Sequence, residues 1–274
     1  MRKLASRPWF WVALALLGLV VWLFIWPVEE VRTWRLVPSE AFLVASFDLS
    51  DPGASEVATR FLTARGLPKL AVPLLMPGRL TFSYGPDSKL LIADMGRKVR
   101  LARLLLGLSR WPHRALGGSI LLAERRSYLD EAVGQYRSRS SRWMRTEVIV
   151  RGFEGRDGFF VVDNREGHLS GFVRRMEERF EFSAFPSVDD VTMIVGYIEL
   201  EGGMGRGRVS FFCRDGKVEG LKSDVRYIYG MARRKLRAYG LELRGRVGTE
   251  PGVVGLEFEL EGVPEAVARV LSRT

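Results

Sequence analysis

Cysteine and histidine are scarce in this chain, and their scarcity excludes several kinds of site. Cys213 is the one cysteine among 274 residues, so no intramolecular disulfide and no multi-cysteine metal site can form. In the run Phe211-Phe212-Cys213 it is expected to be a small buried apolar residue. Histidine occurs twice, at His113 and His168, and we interpret both as loop or surface residues rather than ligands. The sequence therefore predicts no metal site.

Sequence motifs of common enzyme classes are also missing. The chain contains no His-Glu-x-x-His, no Gly-x-Ser-x-Gly and no Gly-x-x-x-x-Gly-Lys-Ser/Thr. The glycine-rich segment 201–207 is not in a strand-to-helix setting, so we interpret it as a hairpin or linker. Adjacent Asp189 and Asp190 would point to opposite faces of a strand, which favours a loop or a helix cap. We expect no enzymatic activity and no cofactor, although a carboxylate-based hydrolase leaves little local signature and stays an alternative.

Long hydrophobic runs are absent except for one near the N-terminus. Every residue from Pro8 to Pro27 is apolar, glycine or proline, and these 20 residues span about 30 Å as a helix. Tryptophans lie near both ends of the run, as in an interfacial aromatic belt. These are Trp9, Trp11, Trp22 and Trp26. The pattern predicts a transmembrane anchor over residues 8–27.

The residues that flank this run indicate an uncleaved anchor and give its orientation. The stretch Trp26-Pro27-Val28-Glu29 lacks the small residues of a signal-peptidase site, and no lipoprotein cysteine follows. Residues 1–7 carry three basic residues and no acid, so we expect a cytoplasmic N-terminal tail. Residues 28–274 would then lie outside the bacterial inner membrane, in the periplasm or at the cell surface.

After a predicted stalk at residues 28–40, the chain alternates short strands, glycine-containing turns and amphipathic helices. The pattern of strand, tight turn, strand and helix recurs about every 30 residues. The units begin near residues 79, 147, 208 and 241. The second begins with a predicted strand at 147–150, the third has its second strand at 217–221, and the fourth ends with a helix over 263–270. They predict an α+β fold with one or two antiparallel sheets and the helices on one face. We place a first α+β lobe at 41–146 and a second at 147–274, and leave open whether duplication produced them.

A limited family resemblance appears where the predicted stalk ends. Val37-Pro-Ser-Glu40, followed by the strand-like Ala41–Leu49, resembles the start of uncharacterised bacterial membrane-anchored extracytoplasmic families. Those families have Leu-Pro-Ala-Asp before the first strand, where this chain has Val-Pro-Ser-Glu. The resemblance covers about a dozen residues and implies an envelope location without an activity.

Positive charge is concentrated in the middle of the chain. The net charge is +10, and residues 97–146 hold 12 basic and 3 acidic residues, which gives +9 for that stretch alone. The stretch is typical of a solvated charged face; the alternative is a surface patch for an anionic partner such as lipid headgroups, cell-wall polymer or an acidic subunit. The patch residues are Arg97, Lys98, Arg100, Arg103, Arg137, Arg139, Arg142 and Arg145.

Anchor, exported domain and missing motifs together favour a structural or assembly subunit of a membrane-associated envelope complex. The alternatives are a protein that binds lipid or cell-wall polymer, and a carboxylate-based hydrolase. We expect protein partners in the envelope, with anionic lipid or polymer as a further candidate for the basic patch. Nucleic acid is not expected as a partner, because the predicted compartment contains little of it.

Overall fold

The structure is a computed structural model of the whole chain. It describes residue 18 and the ranges 27–50, 52–64, 72–86, 89–106, 112–138, 155–180, 185–201, 204–214 and 216–262, together with residue 153. Among these residues no helix has the length and apolarity needed to cross a membrane. The predicted anchor, including Trp9, Trp11, Trp22 and Trp26, lies outside the described residues except for Gly18 and Pro27.

A ten-stranded antiparallel sheet forms the centre of the described fold, which confirms the predicted α+β class. The strand order is β4-β5-β3-β2-β1-β6-β7-β8-β10-β9. The strands are β1 Leu43–Asp48, β2 Arg79–Tyr84, β3 Lys89–Asp94, β4 His113–Leu116, β5 Ser119–Ala123, β6 Gly158–Asp163, β7 Val191–Glu201, β8 Met204–Cys213, β9 Glu242–Glu250 and β10 Val253–Glu261. His113, which we predicted to lie in a loop, begins β4.

Helices follow most of the hairpins and connect the strands. They are α1 Pro52–Ala64, α2 Val72–Leu75, α3 Val99–Leu106, α4 Arg126–Ser138, α5 His168–Phe180 and α6 Val218–Ala238. Short 3-10 turns lie at Thr33–Leu36, Gly96–Lys98 and Pro186–Asp190. The strand predicted at 147–150 and the helix predicted over 263–270 lie outside the described residues.

The two halves of the sheet have the same connectivity. From the centre outwards, the first half runs β1-β2-β3-β5-β4 and the second runs β6-β7-β8-β10-β9. In each half a helix follows the first strand and another follows the third. Because β1 pairs antiparallel with β6, the halves are arranged about a pseudo-twofold axis that passes through the sheet. Residues 139–152, where the two predicted lobes meet, lie outside the described residues.

Helices cover both faces of the sheet, so the prediction that they share one face is wrong. Ile120 of β5 packs in a cluster with Val99 and Ala102 of α3. The next residue, Leu121, packs instead in a cluster with Leu129 of α4. Neighbouring strand residues point to opposite faces, so α3 and α4 lie on opposite sides. The sequence of β5 is apolar at consecutive positions, so both faces of this strand must be buried by helices or other segments.

The third predicted unit is wrong in its second strand. Residues 217–221 were expected to pair with β8, but α6 begins at Val218 and continues for 21 residues. The partners of β8 are β7 and β10, and the register Glu201↔Met204 leaves two residues for the β7–β8 hairpin connection. Gly216 has a φ of 76° and turns the chain into the helix. Leu221 and Val225 then bury at helical spacing against the sheet.

The segment predicted to be a stalk lies on the sheet. Val31 and Trp34 are 7% and 6% exposed, and Leu36 and Val37 are fully buried in the cluster that contains α4. The charged residues between them gave the segment its polar appearance in the sequence. Residues 31–37 therefore belong to the folded core.

Candidate functional site

The strongest candidate site surrounds Pro27, where the predicted anchor ends and the described chain begins. The Arg100 guanidinium of α3 donates a hydrogen bond of 3.1 Å to the Pro27 carbonyl. Two residues later, the Glu29 carbonyl accepts a 2.8 Å bond from the Gly118 amide in the β4–β5 turn. Val28 packs into the apolar cluster beneath α3. The chain is thus attached to the sheet from its first described residues after the run.

A glycine in the β4–β5 turn permits this attachment. Gly117 has a φ of 52°, and a Cβ atom there would lie 2.5 Å from both the Glu29 carbonyl oxygen and the Val31 side chain. Any other residue would push the 29–31 segment away from the turn. The position therefore couples the turn to the segment that follows the predicted anchor.

The surface formed by α3 and the 3-10 turn before it, Gly96–Lys98, combines positive charge with an exposed apolar side chain. Val99 and Ala102 are buried, whereas Arg97 and Arg103 are exposed and Leu104 is 55% exposed. Within the described part of the chain, Arg97 and Arg103 make no hydrogen bond or ion pair. These two side chains are available to an anionic ligand.

The other predicted patch residues have different surroundings. Lys98 donates hydrogen bonds of 2.8 Å to the Pro73 carbonyl and 3.0 Å to the Met76 carbonyl, so it holds the α2 region in place. Arg137 is exposed at the end of α4, on the opposite face of the sheet from α3. Arg139, Arg142 and Arg145 lie outside the described residues. The structure therefore does not place the predicted patch on one surface.

A cavity of about 450 Å³ lies between the 27–37 segment and the sheet. Its walls carry apolar, hydroxyl and charged groups together. The lining residues include Trp34, Val44, Ser46, Arg79, Thr81, Asp94, Arg97 and Phe159. The hydroxyls of Ser46 and Thr81 are buried and lie 3.0 Å apart. Such a cavity suits an amphipathic ligand better than a purely apolar one.

Two carboxylates near the cavity have pKa values shifted in opposite directions. Burial raises the pKa of Asp94, and the Gly96 amide and Arg79 offset only part of that effect. Burial also disfavours ionised Asp48, but hydrogen bonds from Ser50 and Arg79 outweigh it and lower its pKa. The Arg79 guanidinium lies 2.8 Å from the Asp48 carboxylate. Asp48 and Asp94 flank Arg79 in the register of the sheet. Acid–base enzymes also use nearby carboxyls whose pKa values are shifted in opposite directions.

Both carboxylates also have structural partners that account for their positions. Asp48 accepts a 3.0 Å bond from the Ser50 amide, and Asp94 accepts a 3.1 Å bond from the Gly96 amide. Each bond closes a turn directly after a strand. No group of three or more histidine, cysteine or acidic residues that could hold a metal ion occurs among the described residues. These hydrogen bonds account for the positions of the Asp48 and Asp94 carboxylates without a catalytic role.

The adjacent Asp189 and Asp190 also make separate contacts. Asp189 accepts a hydrogen bond from the Ser170 hydroxyl of α5. The Asp190 carboxylate lies 3.7 Å from the Lys217 ammonium group, just before α6. Both carboxylates tie the 3-10 turn to neighbouring helices, in agreement with the predicted loop or capping role.

A second basic surface on α6 was missed from the sequence. Residues 226–239 contain five basic residues and no acid. Arg226, Arg233, Arg234 and Arg237 are exposed, and Tyr227 and Tyr239 are 46% and 47% exposed. The net charge of residues 147–274 is nevertheless −1, because acids elsewhere in that range, five of them in β9 and β10, cancel these basic residues in the sum. A charge count over one helix face would have found this surface.

The acids of β9 and β10 form cross-strand ion pairs on an exposed part of the sheet. In one register row, Glu199, Arg206, Glu259 and Arg244 lie side by side on four strands. The Arg206 and Glu259 side chains approach to 3.1 Å, and in the next row Arg246 and Glu257 approach to 2.7 Å. Alternating charges stabilise neighbouring strands on a solvated face. This surface is nearly balanced in charge, so it is a weaker candidate for an ionic partner than α3 or α6.

Comparisons with known proteins identify the fold. No protein-family model matches the sequence, and no curated protein matches it. Crystal form I of TP0453 superimposes with a TM-score of 0.50 at 11% identity, over 89% of this chain and 98% of that one. Crystal form III of TP0453 gives 0.51 at 10% identity, over 89% and 99%. At such identities the likeness shows a shared fold and nothing further.

Proposed function

We propose that the chain is a single-pass protein of the bacterial inner membrane and a structural or assembly subunit of an envelope complex. Its N-terminus lies in the cytoplasm, and the exported α+β domain binds protein partners. The packing of residues 27–37 supports this proposal more than any other observation. A domain that packs against the end of its own anchor presents its surfaces at a defined height above the membrane and in a defined orientation. Such a domain suits a scaffold in a complex.

Chemical cross-linking in intact cells tests the role as a subunit. The full chain should be captured with the same envelope proteins at its native expression level, through lysines on the exported domain. If several cross-linkers and growth conditions capture no protein reproducibly, the subunit role is wrong. Protease digestion of intact and permeabilised cells tests orientation, because the exported domain should be cleaved as soon as the outer barrier is opened.

The cavity beneath the 27–37 segment favours a second candidate, the binding of a lipid or a cell-wall polymer. Its mixed lining of Trp34 and Phe159 with Ser46 and Arg79 can accommodate an amphipathic molecule. Mass spectrometry of the purified full chain should then detect a bound lipid or glycan fragment. A Ser46→Trp variant, which fills the cavity, should lose that molecule. Protein that is free of ligand under native conditions contradicts this candidate. No comparable observation favours a hydrolase, because Asp48 and Asp94 already close turns.

A further inference from the structure

We propose that α3 lies on the anionic surface of the membrane that anchors the chain. Arg97 and Arg103 bind lipid headgroups, and Leu104 enters the interface between headgroups and acyl chains. This inference rests on the proposed function, because it takes Pro27 as the end of the membrane span. It identifies lipid as the direct partner of this part of the predicted basic patch.

The position of α3 follows from its contacts with the chain at Pro27. Arg100 is bonded to the Pro27 carbonyl, and Val28 packs into the cluster that contains Val99 and Ala102. An arginine side chain reaches about 7 Å, which is comparable to the depth of a headgroup layer, roughly 5–7.5 Å. If residue 27 lies at the membrane surface, α3 therefore lies within the headgroup region or directly above it.

Along the sequence, the segment that contains α3 carries charge of one sign, whereas in space Glu30 and Asp94 lie around the same cavity as Arg97. Residues 95–123 contain six basic residues and no acidic residue. Lys98 and Arg100 are engaged with backbone carbonyls, and Arg114 forms an ion pair with Asp130. Arg110 lies outside the described residues, so Arg97 and Arg103 are the exposed arginines of this group without such a contact among the described residues. Each basic side chain near an anionic bilayer strengthens its association roughly five-fold. The two arginines together are expected to contribute roughly 25-fold.

The exposure of Leu104 favours a lipid surface over an acidic protein as the partner of α3. It is one of the few large apolar side chains that are exposed among the described residues, and it directly follows Arg103. Basic residues beside an exposed leucine on a helix are typical of helices that lie in a bilayer interface. The basic surface of α6 has no comparable contact with the chain near Pro27.

Fluorescence quenching in nanodiscs tests the inference on the full chain. A single-cysteine variant is made by combining Cys213→Ser with Leu104→Cys, and the thiol is labelled with a fluorophore. The nanodiscs contain headgroup-nitroxide lipid in phosphatidylcholine, with or without phosphatidylglycerol. We expect strong quenching at position 104 that increases when phosphatidylglycerol is present. A label at Ser223→Cys, which is exposed on α6, should remain unquenched.

Charge reversal gives a matched comparison. The double variant Arg97→Glu/Arg103→Glu should remove the dependence on phosphatidylglycerol at position 104. Arg126→Glu/Arg137→Glu changes the net charge equally but lies on α4, on the opposite face, and should leave the quenching unchanged. Both pairs consist of exposed arginines.

The outcomes distinguish failure of this inference from failure of the proposed anchor. Absent quenching at position 104, or equal quenching with and without phosphatidylglycerol, overturns the inference even when the chain resists carbonate extraction. Release by carbonate overturns the anchor instead. In that case the same label, on chain added to vesicles, still decides whether α3 binds anionic lipid. An acidic protein partner for α3 would leave position 104 unquenched and would also overturn the inference.

Discussion

The Arg100 guanidinium donates a 3.1 Å hydrogen bond to the Pro27 carbonyl, so the basic helix and the end of the hydrophobic run are in direct contact. The Gly118 amide holds the Glu29 carbonyl at 2.8 Å on the neighbouring turn. Beyond them, Leu36 and Val37 are fully buried. Among the described residues after Pro27, no unattached stretch therefore separates the predicted anchor from the sheet.

Lys98 and Arg97 are adjacent, yet their replacement should have different consequences. Lys98→Ala removes two hydrogen bonds to the Pro73 and Met76 carbonyls and should lower the free energy of unfolding by about 1 kcal/mol. Arg97→Ala removes an exposed side chain and should leave stability unchanged. Urea unfolding of the full chain in detergent measures both. Equal losses for the two variants would show that Lys98 does not hold the α2 region.

The raised pKa of Asp94 should make the free energy of unfolding depend on pH in an unusual direction. Its pKa in the folded state is raised above 3.8, so its stabilising contribution is present below pH 3.8 and is lost as pH rises through the folded pKa. Asp94→Asn keeps an acceptor for the Gly96 amide and removes the buried charge. It should unfold at a higher urea concentration than the unmodified chain at neutral pH.

Acid should abolish that difference, because the carboxyl of the unmodified chain is then neutral too. Asp130→Asn is the control, since Asp130 is exposed in an ion pair with Arg114 and should change stability little at any pH. A less stable Asp94→Asn variant at neutral pH would mean that attraction to Arg79 outweighs burial.

Asn164 connects β6, α5 and the 3-10 turn before β7 through one buried side chain. Its carbonyl oxygen accepts a 2.7 Å bond from the Leu169 amide, and its amide group donates to the Val188 and Val191 carbonyls at 3.2 and 2.7 Å. Asn164→Ala should therefore lower the free energy of unfolding by about 3 kcal/mol, because buried partners lose their bonds.

Asn164→Asp separates the two roles of this side chain. It preserves the acceptor for Leu169 but faces two carbonyl oxygens with a carboxylate. It should therefore also destabilise the fold, and more strongly at neutral pH than in acid. Thermal unfolding at two pH values measures this, and a fully stable Asp variant would contradict the assigned bonds.

Gly207 is required by close packing within the sheet. An added Cβ would collide with the Tyr197 carbonyl oxygen and lie 2.7 Å from the Phe258 ring. Gly207→Ala should lower the free energy of unfolding by about 2 kcal/mol or more. Gly248→Ala is the matched control in β9, because nothing lies within 4 Å of its Cβ position, and it should be neutral or slightly stabilising. Similar effects of the two substitutions would contradict this packing.

Local sequence pattern predicted most strands and helices but not their assembly. The hairpin β9–β10 follows from the alternation in Leu256–Leu260 and the turn at Pro251-Gly252. The central β1–β6 pair joins residues more than one hundred positions apart, and no local pattern indicates it. The sequence of residues 217–221 fits both a strand and the start of a helix. Packing of Leu221 against the sheet, a long-range contact, stabilises the helix.

The candidate site was only partly visible in the sequence. Charge counting located Arg97, Arg100 and Arg103, because acids are absent around them. It could not separate Lys98, which is bonded to carbonyls, from Arg97, which is exposed. Nor could it show that residues 31–37 pack on the sheet, because charged residues mask the buried positions Val31 and Trp34 in a linear reading.

Carbonate extraction of membranes from cells that express the full chain tests the central claim, a hydrophobic anchor fixed to the sheet, most directly. A chain held by an anchor over residues 8–27 should remain in the membrane pellet. A Leu16→Arg/Leu19→Arg variant, whose two charges each oppose insertion by about 3 kcal/mol, should be released. Release of the unmodified chain into the supernatant would contradict the anchor.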